Sequence, residues 1–326
     1  MNFVIDLIVA AIFYATPLLF GTLGEILTEK SGNLNLGVEG IMFMGGAMGI
    51  GGIFYYTQAA ANPNPFLAVI IAILCAMAAG AFASLIFSFI TITLRANQNV
   101  TGLALSIFGT GVGQFIGEIM RIKANGFVDI GNTMKEFFKA SPFPKVMVDI
   151  PYVGKLLFGH TFFFYIAVIL AICMHLYLKK SRSGLYLRAV GESPSTADAV
   201  GINVTRYKYV ATVLGGAISA IGGMVYITTL AGGTWNHEGL AGFGWLAVAL
   251  VIFCTWRPLN SIWGSILFGA MMILYVRLSI PAIPTQLYKI LPYLVTLIVL
   301  VISSMRNNKE KQPPASLGLA YFREER

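Results

Sequence analysis

Few side chains in this sequence are equipped for chemistry, and most of them fall in four short stretches. "SGNLNLGVEG" (31–40) sets Asn33, Asn35 and Glu39 among glycines and leucines, and "LRANQNVTG" (94–102) offers Asn97, Gln98, Asn99 and Thr101. A carboxamide carries both donors and an acceptor, which suits the edge of a polar solute or, equally, the open end of a helix. Gln114 and Glu118 lie one helical turn apart and so share a face, a candidate outer vestibule or a solvated rim. "GGTWNHEG" (232–239) adds Trp235, His237 and Glu238. That is too few ligands for a metal centre; the expectation is an interfacial Trp and a polar loop facing a delivery protein. The fourth stretch, "RAVGESPSTADAVGINVTR" (188–206), is polar and flanked by positive charge.

Catalysis finds no support. There is no grouping of nucleophile, base and orienting group, and His160 and His175 stand at the two ends of one apolar run as interfacial residues. Cys75, Cys173 and Cys254 are widely spaced inside apolar runs, as small core residues are. The Gly154–Lys155 pair lacks the upstream glycine and the following Ser or Thr of a phosphate loop. The chain is therefore expected to be no enzyme and to hold no cofactor, so any energy must come from another polypeptide.

The elements that position these groups are dictated by composition. Of 326 residues, 57% are hydrophobic and 11% charged, and several apolar runs exceed the roughly 20 residues that cross a bilayer core. Lipid leaves backbone groups no water, so an all-α polytopic membrane bundle is predicted. Hydropathy suggests about nine spans, at 3–24, 35–57, 66–94, 98–120, 160–178, 208–230, 241–256, 259–280 and 285–304, with turns at Pro63, Pro65, Pro281 and Pro284. "MNFVID" has no basic lead and no cleavage site follows, so the first run reads as a retained span. With the N-terminus outside and the C-terminus in the cytoplasm, inner segments collect 14 of the 22 Lys and Arg residues; six of the remaining eight sit in one external loop, 121–159. The net charge of +8 thus reports topology and gives no reason to expect nucleic acid. A short surface helix is expected near Thr133–Lys139, and the charged, Pro-bearing tail 305–326 reads as a disordered cytoplasmic segment after a permease domain of 1–304. Small residues at four-residue spacing (Gly109, Gly113, Gly117; Gly45, Gly49; Gly215, Ser219, Gly223) predict close helix packing.

Within 188–206, Ser193 suits an N-cap, Pro194 the first helical position, and Gly201 the left-handed residue past the end, with Ile202 as the accompanying apolar contact. A helix of about seven residues cannot hold itself in water and needs a partner surface. "GLYLRAVGESPSTADAVGINV" (184–204) resembles the cytoplasmic coupling loop of ATP-binding-cassette (ABC) importer permeases of the branched-chain amino acid and simple-sugar group. "SGNLNLGVEGIMFMGGAMG" (31–49), "LRANQNVTGLALSIFG" (94–109) and "AVALVIFCTWRPLNSIWGSILFG" (247–269) match in the same order. The likeness covers most of 12–304 and is nearest the nucleoside-uptake branch.

That resemblance implies a permease subunit in a bacterial inner membrane, paired with itself or a sister permease, with ABC ATPase subunits that bind ATP and Mg inside and a solute-binding lipoprotein outside. It also implies that the short helix enters a cleft of the ATPase. Gly191, Glu192, Ser193, Pro194, Ala197, Asp198, Ala199 and Gly201 are then the coupling residues, with Glu192 and Asp198 offering ion pairs and Ala197, Ala199 and Val200 packing into a groove. Asn33, Asn35, Glu39, Asn97, Gln98, Asn99 and Gln114 are candidates for the substrate path, Glu39 being placed near the inner end, where each can instead pin or cap the fold. A nucleoside is the implied solute; simple sugars, riboflavin-like molecules or an ion-coupled secondary transporter are the alternatives.

Overall fold

The computed structural model describes residues 2–151, 153–277, 285–305 and 312–322. Apart from an isolated bridge between Asp129 and Thr234, the described residues form only helices and connecting segments. In chain order these are α1 (Asn2–Glu29), α2 (Val38–Ala59), α3 (Pro65–Ser88, extended by a wide turn Phe89–Thr93), α4 (Gln98–Lys123), three short helices α5 (Asn132–Lys139), α6 (Lys145–Val148) and α7 (Val153–Phe158), then α8 (Phe162–Lys180), α9 (Arg182–Glu192), α10 (Pro194–Ala199), α11 (Val204–Val225, extended by a wide turn Tyr226–Leu230), α12 (Phe243–Phe253), α13 (Pro258–Arg277) and α14 (Thr285–Met305). Asparagine caps set three starts: the Oδ1 atoms of Asn64, Asn97 and Asn203 accept the N–H groups of Phe66, Val100 and Arg206.

Among the described residues, six helices are long and apolar enough to cross a membrane, namely α1, α2, α3, α4, α8 and α11. Three more apolar helices are shorter, Phe243–Phe253, Pro258–Leu274 and Ile290–Val301, so the count of nine is not reached by length and hydropathy. The turn expected at Pro281 and Pro284 lies outside the described residues.

The core is α1, α2 and α11, with α3, α4, α12 and α13 packed around them. Small residues set the spacing. A methyl on Gly24 would come within 2.2 Å of the Gly215 carbonyl, and one on Gly223 within 1.7 Å of the Met42 carbonyl, so these backbones touch. Outward faces are apolar, as lipid or a partner requires: Ile107, Phe115 and Ile122 on α4 are each more than 60% exposed.

Two ends of the bundle can be told apart. One carries α9, α10 and Lys30, and is called here the basic end. At the far end the N-terminal turn (Ile5, Asp6) shares a cavity with Asp149 and Lys155 of the segment 121–159. The surface helix predicted within that segment is α5, and α6 and α7 accompany it.

The tail departs from expectation. Residues 312–322 are ordered against the basic end: the Ser316 N–H and Oγ–H both donate to the Gly191 carbonyl (3.1 and 2.6 Å), and the Gly318 N–H donates to Gly32 (3.2 Å). Residues 306–311 and 323–326 of the expected disordered tail lie outside the described residues. "SLGLAYF" (316–322) explains the difference, since it is an apolar, uncharged run with surface to bury inside an otherwise charged tail.

Candidate functional site

Two segments interrupt the helices, and they meet. The first, 30–37, leaves the basic end after α1 and runs inward as non-helical chain. Its depth is read against α4: a methyl on Gly102 would touch Leu36 and one on Gly109 would touch Gly40. Gly109 is eleven residues into α4, roughly 16 Å at 1.5 Å per residue, so α2 begins about halfway through the bundle. The second segment, 231–242, follows α11 and descends from the far end. Trp235 seats on Gly117, the His237 carbonyl accepts from Gln114 Nε2 (3.3 Å), and α12 then starts beside α2. Helix α12 has eleven residues, about 16 Å, half of a bilayer core. It returns to the basic end, where the Trp256 indole N–H donates to Glu29.

Glu39 joins the two breaks. Its Oε2 accepts the N–H groups of Gly244 (2.6 Å) and Trp245 (3.3 Å), so a side chain from the first turn of α2 caps the first turn of α12. The carboxylate satisfies donors that lipid could not, and it faces the positive end of the α12 dipole. Glu39 thus lies about halfway along the bundle, not near its basic end, because the non-helical stretch 30–37 carries the chain inward before α2 forms. Two aromatic side chains flank this junction. Trp245 is 36% exposed and Tyr293 38%, and the Tyr293 hydroxyl sits close to Gly242.

The other predicted path residues divide by position. Asn33 is buried; its Nδ2 donates to Thr212 Oγ1 (2.8 Å), and its Oδ1 has no partner among the described residues. Asn35 closes a turn, its Oδ1 accepting from Gly37 (2.9 Å) while its N–H donates to Glu25 (3.3 Å). Gln98 bridges segments, accepting from the Leu34 N–H (2.7 Å) and donating to the Leu319 carbonyl (3.3 Å). Asn97 is an exposed cap, Asn99 is exposed beside it, and Gln114 faces the far end. Asn33, Asn35, Gln98 and Glu39 are therefore gathered along one break, and Asn97, Asn99 and Gln114 are not.

In the far-end stretch 232–239 Asn236 and Glu238 are exposed, but Trp235 is not the interfacial aromatic expected. Trp235 is 8% exposed and stacks on Phe43 with ring centroids 5.2 Å apart, because non-helical backbone at this depth is tolerated only when buried in protein.

The polar loop at the basic end is two helices, α9 and α10, where one was predicted. Ser181 caps α9 and Ser193 caps α10 by accepting from Thr196 N–H (3.4 Å), with Pro194 in the first position. Gly201 has φ +86°, and the Ile202 N–H returns to the Ala197 carbonyl (3.0 Å), closing the left-handed exit that favours glycine. Ala197 is a correction: it is 3% exposed, packed with Val190, Val204 and Tyr321 of its own chain, and offers nothing to a partner. Glu192 and Asp198 are also engaged within the chain, accepting from the Ala315 N–H (3.3 Å) and the Tyr321 hydroxyl (2.8 Å). Ala199 and Val200 form the free edge, Val200 being 71% exposed. Lys30, under this loop, has its ammonium pushed below its ordinary range by burial, with the Glu192 carboxylate opposing.

Three features escaped sequence reasoning. Glu25 and Glu29 are buried carboxyls one turn apart on α1, 1% and 2% exposed; ending the first span at residue 24 hid them, although their four-residue spacing was readable. Lys208 is 3% exposed in the second turn of α11. Nothing local marks Trp245 and Tyr293 as neighbours of Glu39.

Similarity to known proteins agrees with this architecture. A family model described as branched-chain amino acid transport system / permease component matches residues 7–300. The guanosine ABC transporter permease protein NupQ of Bacillus subtilis is 32% identical over 89% of both chains, and the nucleoside ABC transporter permease protein NupC of Lactococcus lactis is 31% identical over 89% of this chain and 90% of its own. A Haloferax volcanii chain provisionally named as a glucose ABC transporter permease protein, TsgC13, is 32% identical over 99% of each. With nearly its whole length matched by one family model and by permeases of that kind, the chain belongs to the branched-chain amino acid transport permease family and is a membrane permease component of an ABC transport system.

Proposed function

We propose that the chain is the permease of an ABC importer for nucleosides. The basic end faces the cytoplasm, the N-terminus lies outside, and α12, α13 and α14 complete nine traverses of the bundle together with the six long helices. The excess of Lys and Arg in the segments at that end supports this orientation. The path for solute passes the junction of α2 and α12, where Glu39 fixes a half-helix and Trp245 and Tyr293 offer flat apolar faces to a heterocycle. Hydroxyls and amides at mid-depth need the partners that a broken helix supplies. The nucleoside assignment rests on the two relatives named for nucleosides; the relative named for glucose keeps a simple sugar as the second reading.

The observation that carries the coupling role is α10 itself. It is capped at both ends and braced from beneath through Ala197, yet leaves Ala199 and Val200 bare. A stiff helix with a free apolar edge passes on displacement that a flexible loop would absorb. An ATPase subunit binding ATP and Mg would receive that edge, and a second permease and an external solute-binding lipoprotein would complete the assembly. Rigid-body rocking about the central junction then opens the path alternately to each side.

Uptake of labelled guanosine into proteoliposomes holding the permease and its cognate ATPase tests the reading, with glucose run in parallel. Ala199→Arg should insert and melt like wild type while ATP-driven uptake falls to background, since a charge would be forced into an apolar groove. Normal uptake by that variant would sink the docking role, and uptake of glucose alone would sink the nucleoside assignment.

A further inference from the structure

A cavity of about 680 Å³ opens beside α10, between the end of α3, the start of α11 and the ordered tail. Its lining includes Asn33, Arg95, Asp198, Arg206, Lys208 and Tyr321. Among the described residues the charges there do not balance: Arg95, Arg206 and Lys208 face one carboxylate, Asp198, which accepts from Tyr321. Lys208 is the anomaly. It is 3% exposed; its carbonyl accepts from Thr212 Oγ1 (2.8 Å), but no described residue hydrogen-bonds to its ammonium or pairs with it. A largely desolvated cation that opens only onto a cavity is costly without a counter-ion, and an anion entering that cavity would offset the cost.

The surroundings specify what arrives. The positive end of α11, a 22-residue helix whose first-turn residues Val204, Thr205 and Arg206 line the cavity, adds its dipole to the three cations. Arg95 is held in place, its guanidinium 4.8 Å from the centre of the Phe322 ring. The formal excess of two positive charges matches a phosphate dianion, and the volume falls in the range of sites for small organic ligands.

We propose that this cavity binds a phosphate-bearing ligand, Lys208 engaging it from the buried side and Arg95 and Arg206 from the exposed side. The ligand is a free phosphorylated solute or the headgroup of an anionic phospholipid; both present the same oxygens. Because Asp198 of α10 and Tyr321 of the tail share the cavity wall, the bound ligand ties α11 and the end of α3 to the segment that bears Ala199 and Val200. Occupancy would therefore tune how firmly α10 is held, and this binding site stands whether the transported solute is a nucleoside or a sugar.

The test uses the full chain in phosphatidylcholine nanodiscs, read by its melting temperature. Inorganic phosphate and adenosine 5′-monophosphate are titrated in one arm, and phosphatidylglycerol replaces part of the lipid in the other. Stabilisation in the first arm identifies a free ligand; stabilisation in the second alone identifies a headgroup. In either case Lys208→Met should weaken the effect by roughly 10- to 100-fold in apparent affinity, the loss of a charge-assisted hydrogen bond. Lys208→Arg should keep most of it, and added salt should shrink it. Arg95→Gln, an exposed change that leaves the core intact, should weaken binding several-fold and carries the test if Lys208→Met does not fold. No stabilisation of wild type in either arm, or an undiminished response in both variants, would overturn the proposal.

Discussion

At the basic end, three stretches distant in sequence are tied by hydrogen bonds between four residue pairs: Gly32 and Gly318, Gly191 and Ser316, Glu192 and Ala315, and Asp198 and Tyr321. At the far end, the segment 121–159 is joined to the rest by apolar burial, with Val128, Ile130, Met134 and Phe138 in the core and Phe138 against Phe163, by the backbone bridge to 233–235, and at its rim by the exposed cluster of Glu118, Arg121 and His237. The first set consists of directed hydrogen bonds that tie non-helical chain to α9 and α10 or to itself; the second is mainly apolar packing, with ion pairs at the rim that contribute little in water. One end is tied by geometry-specific hydrogen bonds and the other by apolar burial, which is less directional. That contrast fits a permease that takes force at one end and solute at the other.

The contrast can be broken most severely at Gly191. A methyl there would lie 2.3 Å from the Lys30 carbonyl, and Gly191 also receives both bonds from Ser316. Gly191→Val should destabilise by about 3 kcal/mol through overpacking and pry α9 from the end of α1. Differential scanning fluorimetry of the purified protein would read this, and a wild-type melting point would mean that the basic end is not rigid.

Tyr321→Phe is the milder probe. Losing one net hydrogen bond of about 1 kcal/mol should shift docking of the tail by roughly fivefold. The reconstituted complex should then transport less solute per ATP hydrolysed, with hydrolysis maintained. An unchanged ratio would remove the tail from coupling and leave it a packing element.

The smallest effect is expected at the far end, at His160. Burial pushes its imidazole below the ordinary range, against the Nε2–H bond to the Leu156 carbonyl (2.7 Å). The folded state therefore favours the neutral ring. Its contribution is complete above the unfolded value of about 6.5 and is lost as pH falls through the lowered folded value. Hydrogen exchange across 156–165 should quicken between pH 7.5 and 5.5 beyond its intrinsic pH dependence, and His160→Gln should abolish the excess. Exchange that tracks only the intrinsic chemistry would show that this end does not loosen.

Much of the fold is written locally. The long apolar runs, the asparagine and serine caps and the left-handed Gly201 all follow from neighbours within four residues, and the structure places α1 to α4, α8, α10 and α11 on or near the predicted stretches. The small-residue stripes are helix contacts, Gly113 under Phe43 and Gly45 against Ala220 among them. The candidate site was only half legible. "SGNLNLGVEG" announces a break, but the depth to which it carries Glu39 depends on α4 and α12, which are distant in sequence. The tail's seven-residue apolar run was diluted by charge on both sides, so composition averaged it away.

The sequence by itself determined that this chain lives in a membrane, where its capped helices start, and which family it joins, because hydropathy and capping are short-range and the motifs are contiguous. Only the tertiary structure decided that Glu39 caps a half-helix midway along the bundle, that Ala197 faces inward while Ala199 does not, and that Lys208 lies buried with no ion-pair partner among the described residues. Each of those depends on which groups come together from residues up to two hundred positions apart. Burial and pairing, unlike helix propensity, are properties of the assembled neighbourhood.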